Sequence, residues 1–401
     1  MSMSAVEWKK LGDVANYYRG VTYNKKQEVE LNTGGTKILR ANNISLETNR
    51  LNFDDIKEIS QDVSIKDYQW LDVDDILICA GSGSKEHVGK VAFIEDKIGY
   101  AYGGFMGKIV VIAGLLPRYL YHIISGSLFK NYLDVSLNST TINNLNSEIV
   151  NNFLIPIPSL AKQQEIVSHL DTFTTLISNL ESELDMRRKQ YEHYRNQLLD
   201  FEGVEGVEWK TLGKICEIRG RIGFRGYTRE DQVEEGEGVL SLSPGNIVNG
   251  KMDYNNSTYI TWEKYEESPE IKIYDGDIVF CKTGSTVGKI SIVNQLPYKA
   301  TINPQLVVLK EIKINSRFLA YTLATYRIQS LVKALAGVGS VPNISQAKLS
   351  ELKIYIPPKQ TQQEIVSKLD AFENLIQSLE QEIKLRKQQY EYYREKLLTF
   401  E

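Results

Sequence analysis

One segment of the chain, QQEIVSHLDTFTTLISNLESELDMRRKQYEHYRNQLLDFE at 163–202, recurs without a gap at 362–401 as QQEIVSKLDAFENLIQSLEQEIKLRKQQYEYYREKLLTFE. A second echo, VEWKKLGD at 6–13 and VEWKTLGK at 207–214, opens each half. Between these anchors the copies diverge, so the chain reads variable, constant, variable, constant. Such a duplication demands two similar folding units rather than one enlarged core, and 401 residues exceed what one core usually holds.

The constant segments have the periodicity of coiled-coil helices. Ile166, Leu170, Phe173, Ile177, Leu180, Leu184, Tyr191, Tyr194 and Leu198 are separated by alternating steps of four and three, with Arg187 inside the series. Ile365, Leu369, Phe372, Ile376, Leu379, Ile383, Tyr390, Tyr393 and Leu397 repeat the pattern, with Arg386 in the matching place. Either seam spans roughly 50 Å at 1.5 Å per residue. A globular segment lies between the two, which favours an antiparallel pairing: a rod with a lobe at each end and approximate two-fold symmetry. The alternative is that each helix packs only on its own lobe.

The expected fold class is α/β, with two sheet-rich lobes (1–160 and 203–358) separated by the helical regions 161–202 and 359–401. Short β-branched runs at 75–79, 90–94, 108–112, 277–281 and 304–309 predict strands, and helices are expected around 117–130 and 316–335. The three cysteines have no CxxC pairing and the four histidines stand alone, so neither a disulfide framework nor a metal site is expected. No apolar run approaches a membrane span, and a cytoplasmic location is expected.

No complete catalytic signature occurs. GxSxG and HExxH are absent, and Asn303-Pro-Gln-Leu306 lacks the second proline and the aromatic of an amino-methyltransferase motif. DILICAGSGSKEHVGK at 75–90 suggests a phosphate cradle, but its partner DIVFCKTGSTVGK at 277–289 argues otherwise. A P-loop requires four residues between its glycine and Gly-Lys; Gly83 to Gly89 leaves five and Gly284 to Gly288 leaves three. Each Gly-Lys also runs into an alternating strand instead of a helix. The expectation is a strand, loop, strand unit used once per lobe.

The net charge of −4 speaks mildly against nucleic acid, yet a whole-chain sum can hide a local basic face. Basic and aromatic loops supply candidates for DNA contact: Arg19, Tyr23, Lys25, Lys26 and Arg40 in the first lobe, and Arg219, Arg221 and Arg225 in the second. Arginine can read guanine bidentately and asparagine adenine, while lysine and tyrosine hold phosphates. The paired loops add Lys85 and His87 in one copy, Lys282, Ser285 and Thr286 in the other.

The duplicated QQEIV…LD…F helices, the VEW…LG openings, the strands at Gly276-Asp-Ile278 and Asp74-Asp-Ile76, and the closings Ile155-Pro-Ile-Pro158 and Ile356-Pro-Pro358 together resemble the specificity subunits of type I restriction-modification systems. The resemblance covers essentially the whole chain. It implies two target-recognition domains, each reading one half of a bipartite, asymmetric site in double-stranded DNA, with the coiled coil fixing the unread spacer and docking two methyltransferase subunits. Restriction subunits would join that assembly. The chain itself would be non-catalytic and bind no cofactor, with S-adenosylmethionine, ATP and Mg²⁺ held by the partners for adenine-N6 methylation and DNA cleavage. A protein-binding assembly adaptor, or an enzyme with a catalytic domain hidden in a lobe, are the competing readings.

Overall fold

Runs such as Ile76–Cys79 and Ile278–Cys281 are apolar at every position, and each is buried on both faces as the inner strand of a sheet. The computed structural model describes residues 6–138, 144–221, 227–255, 257–337, 339 and 341–400. The chain divides into two units: residues up to Ser182 with those from Gln381 onward, and Glu183–Glu380.

In the first unit a four-stranded antiparallel sheet has the order Ala15–Arg19, Met106–Val111, Ile76–Cys79, Val91–Phe93. A second sheet has the order Glu28–Val29, Lys57–Ile59, Thr36–Leu39, Ala101–Tyr102, its last pair parallel. Strand Glu7–Lys10 pairs with Leu154–Ile157, Trp8 opposite Pro156, so the VEW opening and the Ile-Pro closing become neighbours. The second unit repeats the pattern: Glu217–Arg219, Leu306–Lys310, Ile278–Cys281, Ile290–Ile292 in one sheet, and Gln232–Val233, Thr258–Ile260, Val239–Leu242, Ala300–Ile302 in the other. Glu208–Thr211 pairs there with Lys353–Ile356. Cys79 and Cys281 occupy matching, fully buried positions.

Helices occupy both expected stretches, and each stretch holds two. Pro117–Ile124 is followed by Ser127–Asn138, and Ser316–Leu323 by Tyr326–Ala336. Thr325 starts a new helix by accepting a hydrogen bond from the Ile328 amide, and Gly126 stands at the matching break.

Two long helices, Leu160–Leu198 and Lys359–Leu398, contribute to both units. Their first turns pack on their own lobes, but not exclusively as the alternative reading required. Ile166 and Leu170 join the core of Leu11, Tyr119 and Phe153, while Ile365 and Leu369 pack with Phe318, Tyr321 and Tyr355. Further along, the helices pair antiparallel within each unit. In the first, Phe173 stacks on Tyr393 with centroids 5.4 Å apart, and Lys387 meets Glu181 at 2.8 Å. In the second, Tyr194 stacks on Phe372 at 5.4 Å, Tyr191 donates to Glu373 at 2.9 Å, and Arg188 meets Glu380 at 2.7 Å. Ile177 and Ile383 are buried, and Leu180, Leu184, Ile376, Leu379 and Tyr390 are half-buried, as the seam of a two-helix pair requires. Arg187 and Arg386 interrupt the seam by bonding Glu183 and Glu382 one turn back on their own helices.

The repeated QQE and LD residues fasten helix to lobe. Gln163 accepts from the Leu116 amide at 2.8 Å and donates to Pro158 at 2.9 Å; Gln362 accepts from Asn315 at 3.1 Å and donates to Pro357 at 2.9 Å. Asp171 receives Arg118, and Asp370 receives Arg317, each at 2.8 Å. No helix among the described residues is long and apolar enough to cross a membrane.

Candidate nucleic-acid interface

In the first unit three tight turns meet around a groove of about 1630 Å³. The turn Ala41–Asn43 is fixed from inside: the fully buried Asn43 accepts from the Arg40 amide at 2.9 Å and donates to the Asn52 and Asp55 carbonyls at 3.1 and 3.2 Å. The turn at Gly103–Met106 is locked to the loop after Cys79, since the Phe105 carbonyl accepts from both Ala80 and Gly81 at 2.9 Å. Gly20 presses on that turn so closely that a Cβ there would lie 2.2 Å from the Gly103 oxygen.

The Gly-Lys pair of 75–90 is part of this scaffold. Gly89 has φ +88° and a Cβ would meet Leu133 at 2.4 Å; Gly288 has φ +93° and would meet Gln329 at 2.4 Å. Lys90, only 7% exposed, sends its ammonium under the Ala41–Asn43 turn, to the Ala41 and Ile44 carbonyls at 2.8 and 2.7 Å. Burial holds its pKa below the ordinary lysine value. Lys289 reaches the equivalent Ile247 carbonyl at 3.3 Å. Both lysines support loops, and each is followed by a strand.

Of the first-lobe candidates, Tyr23, Lys25, Arg40 and His87 line the groove together, joined by Asn42 and Asn144. Arg40 donates to Asp55 at 2.7 Å, and Asn42 donates to the same carboxylate oxygen at 2.9 Å. The Arg40 Nε and the His87 Nδ1 are both buried without a hydrogen-bond partner. Burial, aided by Glu28, raises the Tyr23 pKa and keeps its hydroxyl protonated. Arg19 lies just behind, donating to the Leu145 carbonyl at 2.9 Å and to Asn144 at 3.3 Å. Lys26 and Lys85 are exposed on their turns but do not line the groove.

The second-lobe candidates are placed differently. Lys282, Ser285 and Thr286 share the loop after Cys281, with Ser285 exposed and the Thr286 hydroxyl 3.4 Å from the Cys281 sulfur. That loop bridges Asn343 through Thr283, as Gly81 bridges Asn144 in the first lobe. Arg219 is ion-paired with Glu217 at 2.7 Å. Arg221 departs from the reading as an exposed loop cation: it is 7% exposed, and its Nε donates to the Ile302 carbonyl at 2.9 Å. The apolar strand Ala300–Ile302 draws it inward because that carbonyl needs a donor. Arg225 lies outside the described residues.

The sequence reading missed Asp55, Asn42, Asn144 and Phe105. Phe105 lines the groove and is 74% exposed, and its signal was an aromatic on a Gly-Gly turn. Among the described residues no group of acids, histidines and cysteines could hold a metal, and burial pushes the Cys79 thiol up.

The family model described as the type I restriction modification DNA specificity domain matches residues 3–186 and again 205–385. The Escherichia coli type I restriction enzyme EcoR124I/EcoR124II specificity subunit is 36% identical over 260 residues, 61% of this chain and 63% of that protein, so the chain spans less than two thirds of that relative. The E. coli K12 EcoKI specificity subunit is 22% identical over 92% of this chain and 82% of its own length. A solved chain from work on complex assembly and conformational transition of the type I R-M system has TM-score 0.64 at 16% identity, covering 98% of each chain. The type-I restriction-modification S subunit from M. genitalium has TM-score 0.55 at 14% identity, covering 99% of this chain and 98% of that one. At these identities both show the fold.

Proposed function

Because the chain belongs to the family of type I restriction modification DNA specificity domains, we propose that it is the sequence-reading subunit of a type I restriction-modification complex. One observation carries this reading: the family match occurs twice, once per lobe, on scaffolds of identical strand order whose loop residues differ. Where the first lobe has Arg40, the second has Ser243, and where one loop carries Lys85 and His87 the other carries Ser285 and Thr286. Equal frames with unequal contact residues suit an asymmetric, two-part site.

In this proposal each lobe reads one half-site of double-stranded DNA, and the helix pair sets the spacer and docks two methyltransferase subunits, with restriction subunits added. The chain contributes the address and no chemistry. The partners hold S-adenosylmethionine, ATP and Mg²⁺. The groove supports the DNA reading, since it combines lysine, arginine, histidine and asparagine on rigid turns, the donor types that reach phosphates and base edges.

The test is to sequence the methylated bases of a host with and without this gene, and to measure DNA binding by the complex with its methyltransferase subunits. A bipartite methylated motif that vanishes with the gene, and binding that falls steeply with salt, are expected. Absent or salt-insensitive binding would favour a protein-binding adaptor.

A further inference from the structure

Two donors of the first-lobe groove converge on a single carboxylate oxygen. The Arg40 Nη2 and the Asn42 Nδ2 both donate to Oδ2 of Asp55, at 2.7 and 2.9 Å, and the Arg40 Nη2 also lies 3.2 Å from the Asp55 carbonyl. The backbone beneath cannot shift easily, because Asn43 and Lys90 pin the turn that carries both donors. Yet the site is not closed: the Asp55 side chain is 62% exposed and that of Arg40 is 30% exposed.

We propose, resting on the DNA reading above, that Asp55 is a specificity-positioning residue that makes Arg40 a guanine reader. The carboxylate acts in two ways. It fixes the rotamer of Arg40 and places Asn42 beside it, so little side-chain freedom is lost when a base edge arrives. It also cancels the local positive charge, which weakens attraction to any phosphate while leaving guanidinium N–H groups able to meet the neutral O6 and N7 acceptors of guanine. Without Asp55, Arg40 is a mobile cation that any backbone satisfies. Ser243 stands in the equivalent place of the second lobe, so this device belongs to one half-site only.

The experiment uses the chain assembled with its methyltransferase subunits. Asp55→Ala and Asp55→Asn are expected to tighten binding to unrelated DNA several-fold, to steepen the log–log salt slope by about 0.9 as Arg40 gains a phosphate, and to cut discrimination at the first-lobe half-site roughly tenfold. Discrimination at the other half-site serves as the folding control and stays unchanged. Replacing each guanine of the first-lobe half-site in turn by 7-deazaguanine removes the N7 acceptor. One position should then weaken wild-type binding roughly tenfold while adding nothing to Arg40→Ala. Unchanged discrimination in both Asp55 variants, or no guanine whose N7 matters through Arg40, overturns the assignment. Failure of the wild-type complex to prefer any sequence would instead overturn the DNA reading itself.

Discussion

Lys90→Met tests whether the Gly-Lys pair is scaffold or ligand site. The substitution nearly keeps the volume of the side chain, ending one atom shorter, but removes the donor that serves two carbonyls, Ala41 at 2.8 Å and Ile44 at 2.7 Å. Hydrogen bonds from a charged donor contribute about 1.5–3 kcal/mol each, giving a gross loss of about 3–6 kcal/mol for the pair. Removing the ammonium also removes its own desolvation penalty, which is visible in the depressed pKa, so part of that loss is offset. The net cost should be about 2–4 kcal/mol, a roughly 30- to 1000-fold rise in the population of the opened turn. Hydrogen exchange reads this directly, because the Asn43 and Ile44 amides bond back to Arg40 and Ala41 within the turn. The second lobe supplies the control. Lys289 is exposed and makes one long contact, so Lys289→Met should leave exchange around 244–247 unchanged. If Lys90→Met exchanges like wild type but abolishes binding of a nucleotide or phosphate, the scaffold reasoning is wrong.

The lobe-helix junctions should respond unequally to acid. His122 is fully buried, donates from Nε2 to Asp171 at 2.8 Å and faces the Tyr390 hydroxyl through Nδ1 at 3.2 Å, and burial lowers its pKa. The unfolded chain therefore takes up the proton first, so stability present above about pH 6.5 is lost as pH falls below it. The second lobe places Tyr321, which donates to Asp370 at 2.6 Å, in that position; protection at 117–124, taken relative to the intrinsic exchange rate at each pH, should fall from pH 7 to 5.5 while that at 316–323 holds, and equal responses would refute the assignment. Inserting seven residues into both long helices preserves the heptad and adds about 10 Å, so the methylated motif should gain about three spacer base pairs with both half-sites intact. Replacing residues 1–160 by another such lobe should alter one half-site in the methylome, and alteration of both would contradict independent reading.

The duplication and the most apolar strands were legible in the sequence, since Ile76–Cys79 and Ile278–Cys281 fall within the apolar runs read as strands, whereas Thr36–Leu39 and Val239–Leu242 lie in none of those runs. The helix breaks at Gly126 and Thr325 were not, since apolar spacing continues across them and only the cap geometry ends the first helix. The groove was half legible. Lysines and arginines in glycine-rich loops announced a polar face, but the composition of a loop does not say which cation is turned inward, so Arg221 and Lys90 look the same in sequence as Arg40. Asp55 was invisible because its meaning comes from two donors 13 and 15 residues away along the chain.

The division between constant and variable residues has a mechanical reason. In each unit the same side chains fasten the long helix to the lobe: a glutamine that closes the helix start against a loop amide, and an aspartate that receives an arginine from the first short helix. These contacts are made by QQE, by LD and by the arginine of Pro117–Ile124 or Ser316–Leu323, and the groove uses none of them. A substitution at Arg40, Asn42 or Asp55 therefore changes what the groove can bind without loosening the attachment that orients it. The converse also follows. Asp171→Asn should weaken the bonds from Arg118 and His122, leave every groove residue in place, and disturb the geometry with which the first half-site is presented while sparing the chemistry that reads it.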